Sequence, residues 1–157
     1  GELFFYDKRH LFRMANEHKF FSPGTDRLIV EHCGWRIAPS ICYDLRFPVW
    51  LRNRDDYDLA IFVANWPSKR QTAWSTLLRA RAIENISYSC GVNVTGVDGA
   101  GVEYAGGSSI FDPVGEPIAE HFEDRVVATH TLSGALLVET RTNFPANLDN
   151  DKFSIEY

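Results

Sequence analysis

Cys42 ends an apolar strand pattern that begins at Trp35, within the run Pro39-Ser40-Ile41-Cys42-Tyr43-Asp44. A catalytic nucleophile needs exposure, a firm mount and surroundings that favour its deprotonated form. A sharp turn directly after a strand supplies the first two. It also aims the next backbone N–H, that of Tyr43, at the place where a tetrahedral oxyanion would form. A lone cysteine is more often a buried packing residue, so position alone does not make Cys42 catalytic. Lys8, within Tyr6-Asp7-Lys8-Arg9-His10, is by itself a charge in a polar loop. Beside Cys42 it would lower the thiol pKa from near ~8.5 and stabilise negative charge on a substrate oxygen. The two lie 34 positions apart, and spacing alone leaves open whether they meet.

Other side chains could complete such a site. Arg46 follows the turn and Arg70 opens a long helical pattern, and either could grip a substrate carboxylate bidentately. Trp66 and Phe47 could wall a pocket, Asn65 precedes that tryptophan, and Asp44 could accept a hydrogen bond that fixes the turn. Cys33 and Cys90 read as structural, one in a turn and one inside an apolar strand. The five histidines show no metal-ligand pattern, and Gly99-Ala100-Gly101 with Gly106-Gly107 does not fit a phosphate-binding loop. No metal and no cofactor are expected.

The elements that must position these groups come from a chain of 157 residues with 45% hydrophobic and 13% aromatic content. That is enough apolar surface for one substantial core. Sixteen basic against twenty-one acidic residues give a net charge of −5, and no Lys/Arg cluster suggests nucleic acid or an anionic membrane. No apolar run approaches the ~18 residues of a membrane span. Three unpaired-looking cysteines suggest a reducing, cytoplasmic setting, and a small molecule is the expected partner. The opening Gly1-Glu2-Leu3-Phe4-Phe5-Tyr6 reads as a strand already under way, so the chain is taken as a fragment.

Hydrophobic periodicity predicts strands over Leu3–Tyr6, Leu28–His32, Trp35–Cys42, Leu59–Ala64, Ser87–Val94, Ser108–Phe111, Glu116–Ala119 and Arg125–Thr131. Leu59–Ala64 is a continuous apolar run, which predicts burial on both faces. Asp7–Asp26 reads as a polar loop, and Gly96–Gly107 as a surface loop or hairpin. Helices are predicted from Pro48 to Arg54, from Lys69 to Glu84 with Ser68 as N-cap, and from Gly134 to Thr142 capped by Ser133. Strands alternating with helices, then hairpins, imply a single α/β domain with mixed pairing. Phe144 to Tyr157 forms a C-terminal extension.

Four segments in order resemble the nitrilase (carbon–nitrogen hydrolase) superfamily. Tyr6-Asp7-Lys8-Arg9-His10-Leu11-Phe12 is similar to its lysine motif, and Ile41-Cys42-Tyr43-Asp44-Leu45-Arg46-Phe47-Pro48 to its cysteine elbow. Asn65-Trp66-Pro67, with Trp74 and Leu77 to Asn85, resembles the strand and helix that follow. Gly106-Gly107-Ser108-Ser109 with Asp112-Pro113-Gly115 resembles its hairpin. The wording around Lys8 and Cys42 most resembles the omega-amidase-like branch, whose members hydrolyse the terminal amide of 2-oxo acid monoamides such as 2-oxoglutaramate.

The resemblance implies part of a four-layer αββα sandwich spanning residues 1–157, with the N-terminal portion missing, and a Glu–Lys–Cys triad. Carried over, Cys42 is the nucleophile and Lys8 the oxyanion cation. Glu17 is the best match to a further glutamate that holds the lysine and the attacking water. Tyr43, Arg46, Asn65, Trp66 and Arg70 make up the expected substrate-binding set. The family's general-base glutamate lies upstream of the lysine motif, a position that Glu2 does not match, and without that portion one sheet face should lie uncovered. The implied activity is thiol-dependent hydrolysis of a small carboxamide with release of ammonia, by a homo-oligomer. The alternatives are another branch (N-carbamoyl hydrolase, aliphatic amidase or nitrilase) or an inactive fragment that serves only binding or assembly.

Overall fold

Three apolar runs from the middle of the chain line up in parallel and set the frame. The computed structural model describes residues 1–121 and 127–156. Strands β1 (Val30–His32) and β2 (Trp35–Ile41) form an antiparallel hairpin. Its two-residue turn holds Cys33 and Gly34 at φ 49° and 79°, the left-handed geometry that matches strand twist. β3 (Leu59–Ala64) pairs in parallel with β2 on one side and with β4 (Tyr88–Asn93) on the other. A smaller hairpin, β5 (Thr95–Val97) and β6 (Glu103–Ala105), follows. β7 (Ser108–Phe111) and β8 (Pro117–His121) then extend the main sheet antiparallel, giving the order β1-β2-β3-β4-β7-β8. The mixed α/β sheet predicted from the sequence is present.

The long helix, α2 (Gln71–Asn85), covers one face of this sheet. Trp74, Leu78 and Ala82 are fully buried, as is Phe62 of β3. Gly91 of β4 permits the close approach: a Cβ there would lie 2.4 Å from Leu78 Cδ1 and 2.6 Å from Trp74 Cζ2. Gly91→Ala should therefore overpack the core and cost about 1–3 kcal/mol, read as a lower midpoint in urea unfolding. An unchanged midpoint would show that the helix can retreat without penalty.

The opposite face is more open. Val63 and Val92 are each 50% exposed, which corrects the expectation that β3 is buried on both faces. Hydrogen bonding to β2 and β4 explains the apolar run, but only the α2 side is packed. Leu3–Tyr6 also forms no strand: its residues find no sheet partner among the described residues, and Leu3 and Phe5 lie 80% and 83% exposed. Within the segment read as a loop, residues 13–15 and 17–19 form short 3-10 turns.

Helix boundaries moved for local reasons. α1 (Pro48–Leu51) stops short of Arg54 because the buried Asn53 side chain accepts from the backbone N–H groups of Asp56 and Tyr57. That contact offers the chain an alternative to the helix. Ser68 opens a 3-10 turn, Ser68–Arg70, instead of capping α2, which begins at Gln71. Ser133 does cap α3 (Gly134–Asn143), its hydroxyl accepting from Leu136 N–H at 3.2 Å. Of the predicted strand Arg125–Thr131, residues 125 and 126 lie outside the described residues, and 127–131 form no strand.

Arg141 ties α3 to the sheet. It reaches Asp58 at 2.7 Å, and Arg36 grips the same carboxylate at 2.8 Å. Burial pushes the Asp58 carboxyl up, but these guanidiniums and the Arg36 N–H outweigh it and hold the pKa at about 2. A carboxyl held below its ordinary value stabilises the fold fully above that value, and the contribution disappears as pH falls through the lowered one. Thermal melts should show stability falling between about pH 4 and 2, with Asp58→Asn flattening that part of the profile. A profile unchanged by the substitution would count against the clamp.

Candidate functional site

The carboxyl ends of the parallel strands converge, and each delivers part of one cleft. β2 ends at Ile41, and Cys42 follows with φ 47° at the head of a 3-10 turn, Cys42–Arg46. A non-glycine residue in that region costs on the order of 1–3 kcal/mol and persists where its surroundings over-determine it. Here they do. The fully buried Asp44 carboxylate accepts from Ile41 N–H at 3.1 Å, and Arg81 of α2, itself buried, donates to the Leu45 carbonyl at 2.7 and 3.2 Å. Arg81 shares the apolar face of α2 with the buried Trp74, Leu78 and Ala82. It is the strut between that helix and the cysteine turn.

β3 leads into Asn65 and Trp66. Asn65 lines the cleft beside Cys42, and its backbone N–H pulls the Cys42 thiol pKa down. Asn93, at the end of β4, accepts from Trp66 N–H at 2.7 Å and donates to Trp66 O at 3.0 Å. Trp66 is 3% exposed, packs on Trp74 at a ring distance of 5.5 Å, and donates its Nε1–H to Arg70 O at 2.8 Å. It is more a buried prop than a pocket wall. Phe47 does not line this cleft and stacks on His10 at 3.6 Å instead.

Lys8 arrives from the N-terminal segment. Its Nζ bonds Glu17 Oε1 and Oε2 at 2.9 and 2.7 Å, and Glu17 Oε2 also accepts from Phe12 N–H at 2.8 Å. Both Glu17 oxygens are therefore engaged in holding the ammonium. The charge acts on Cys42. Burial pushes the thiol up, Lys8 and the Asn65 N–H pull it down, and Glu17 and Asp44 push it up again. The balance leaves the thiol above its ordinary value.

The eight residues of the expected catalytic and substrate-binding sets, Lys8, Glu17, Cys42, Tyr43, Arg46, Asn65, Trp66 and Arg70, line this one cleft. The Arg46 guanidinium lies 5.0 Å over the Trp66 ring and that of Arg70 lies 5.3 Å over Phe12. Neither has a carboxylate partner among the described residues. The cleft, about 1540 Å³, exceeds the ~300–1,000 Å³ typical of small-ligand sites and opens broadly to solvent.

Several contributors were not singled out. Asn93 lines the cleft, and its signal was an amide in an otherwise apolar strand. The β5–β6 hairpin supplies a rim in which Tyr104 donates to Asp98 at 2.9 Å. The sequence had read it as a surface loop or hairpin, with no part in the site. Tyr6 and His10, on either side of Lys8, both bond Asp44. No helix is long and apolar enough to cross a membrane, and no group of three or more metal-ligating side chains occurs, in each case among the described residues.

The family model for carbon–nitrogen hydrolases matches residues 3–142. The chain is 54% identical to the omega-amidase YafV of Escherichia coli (strain K12), an alignment that covers 99% of this chain and 61% of that protein. It is 34% identical to the 2-oxoglutaramate amidase of Bacillus subtilis (strain 168), covering 89% of this chain and 54% of the other. Among solved structures it is similar to XC1258 from Xanthomonas campestris, a CN-hydrolase superfamily protein with an arsenic adduct in its active site. That similarity has a TM-score of 0.94 and 54% identity over 96% of this chain and 60% of that one. The chain thus spans about 60% of the length of the omega-amidase relatives it matches.

Proposed function

The chain belongs to the carbon–nitrogen hydrolase family, and from that premise we propose that it carries the nucleophile and the oxyanion cation of a thiol amidase. The observation that carries this reading is the convergence of Lys8 on Cys42 at the strained end of β2. The substrate is a small carboxamide, the omega-amide of a 2-oxo acid of the 2-oxoglutaramate type. The named activities of the E. coli and B. subtilis relatives support that choice.

Cys42 sulfur adds to the amide carbon, with Lys8 and the Tyr43 N–H as donors to the oxyanion. The C–N bond breaks, ammonia leaves with the thiol proton, and a thioester remains on Cys42. Water then cleaves the thioester, restoring the thiol and releasing the carboxylate. A base must carry that proton both ways. The family resemblance assigns this work to a glutamate upstream of the lysine segment. Glu17 holds Lys8 and orients the attacking water. Arg46 and Arg70, both without a carboxylate partner among the described residues, suit the carboxylate at the far end of such a substrate. Trp66, propped by Asn93, backs the pocket with Asn65.

Homo-oligomerisation would bury sheet edges or the C-terminal tail, where Phe144 and Leu148 are exposed, and three free thiols fit a cytoplasmic setting. A substrate panel tests the branch. Ammonia from 2-oxoglutaramate without carbon dioxide supports the omega-amidase reading. Ammonia with carbon dioxide, and only from N-carbamoyl amines, would move the chain to a carbamoylase.

A further inference from the structure

Residues 8 to 24 form a loop closed on itself. Gly24 N–H donates to Lys8 O at 2.9 Å, and the Lys8–Glu17 ion pair lies wholly inside it. Nothing internal to this loop can therefore fix where it sits relative to Cys42.

The Asp44 carboxylate, two residues beyond Cys42 and 0% exposed, accepts on Oδ2 from Tyr6 Oη–H at 2.9 Å and from Ile41 N–H at 3.1 Å. On Oδ1 it bonds His10 N–H at 2.8 Å and His10 Nδ1 at 2.9 Å. Tyr6 and His10 stand two residues before and two after Lys8. We propose that Asp44 is the positioning residue of this site, a single buried carboxylate that clips the lysine segment to the cysteine turn from both sides of Lys8. The inference rests on the reading of Lys8 and Cys42 as a functional pair and adds what holds them together.

The division of labour follows from the bonds. Glu17 sets where the Lys8 ammonium points within the loop, and Asp44 sets where the loop lies against Cys42. The Trp50 indole N–H, 3.1 Å from the Tyr6 hydroxyl oxygen, leaves that hydroxyl's own proton for Asp44. The partners of Asp44 are donors, with the His10 ring donating through Nδ1–H. An amide in its place must turn its NH2 toward one side of the clip and lose it. Aromatic contacts, His10 on Phe47 and Phe12 against Tyr43 at 5.0 Å, are the other links between loop and turn. They resist separation but permit sliding.

The test reads the Cys42 thiol and needs no substrate. The rate of Cys42 alkylation by iodoacetamide is followed against pH on its own proteolytic peptide, which separates it from Cys33 and Cys90. The charged groups facing the thiol are Lys8, Glu17 and Asp44, with Tyr104 nearby, so Lys8 is removed in two backgrounds. In the wild-type background, Lys8→Ala should raise the titration midpoint by about one pH unit. In the Asp44→Asn background the same substitution should leave it unmoved, because the ammonium has already left. A shift of equal size in both backgrounds overturns the proposal and gives the placement to the aromatic contacts. Should Asp44→Asn not fold, Tyr6→Phe removes the side-chain donor to Oδ2 and should shrink the Lys8 effect, whereas His10→Ala would leave the backbone N–H on Oδ1 in place. A full Lys8 effect in Tyr6→Phe would equally overturn the proposal. Failure of the amidase reading is separate: it would leave this thiol coupling in place while no amide is hydrolysed.

Discussion

Cys42→Ala should abolish ammonia release from 2-oxoglutaramate, a loss on the order of 10⁶ in kcat by analogy with removing the nucleophile of a serine hydrolase. The magnitude reflects covalent catalysis: without the sulfur there is no thioester, and water must attack an unactivated amide directly. Fold stability should change little, since Cys42 is only partly buried and alanine meets the same backbone strain at φ 47° that cysteine does. Steady-state ammonia assays beside a thermal melt check both parts. Cys33→Ala, at an exposed turn, should keep full activity and serves as the control for thiol loss in general.

Lys8→Ala should lower kcat by about 10²–10³ with a smaller change in KM, the signature of a donor that matters most when negative charge has developed on the oxygen. Two effects add in the same direction. The oxyanion loses a cation, and the thiol, already lifted by burial, loses the charge that pulls it down. The pH–rate profile should therefore shift its rising limb to higher pH along with the loss in kcat. A large rise in KM with kcat intact would instead place Lys8 on the ground-state substrate. Lys8→Arg should recover little, because a guanidinium would engage both Glu17 oxygens through its fork and spread over a plane the charge that the ammonium concentrates at one point.

Much of this site was legible before any coordinate. The cysteine after an apolar strand, the asparagine and tryptophan after the next strand, and the arginine ahead of a long helix were each read from residue type beside an element boundary. The β3 boundary holds at Ala64, while β2 closes at Ile41, one residue before the expected end at Cys42, and α2 opens at Gln71, two residues after the expected start at Lys69. Local patterns report local structure well, because strand burial and helix periodicity are written within a few residues of one another.

What was not legible depends on contacts across the chain. Leu3–Tyr6 has strand composition, but a strand exists only with a neighbour to bond, and none is present among the described residues. The continuous apolar run of β3 reports two bonded edges, not two covered faces. Asp44 meets Tyr6 and His10 across 38 and 34 positions, and no periodicity carries that information. Arg81 fell on the apolar face of α2 for a similar reason: its target, the Leu45 carbonyl, belongs to a turn 36 positions earlier.

The most direct test of the central claim is to trap the covalent intermediate. The protein is mixed with 2-oxoglutaramate, quenched in acid at successive times and digested, and the Cys42 peptide is weighed. Attack by Cys42 predicts a transient gain equal to the acyl group on that peptide alone, absent from Cys42→Ala and unaffected by Cys33→Ala. Ammonia release that continues in Cys42→Ala, with no acyl group on the Cys42 peptide at any time, would contradict it.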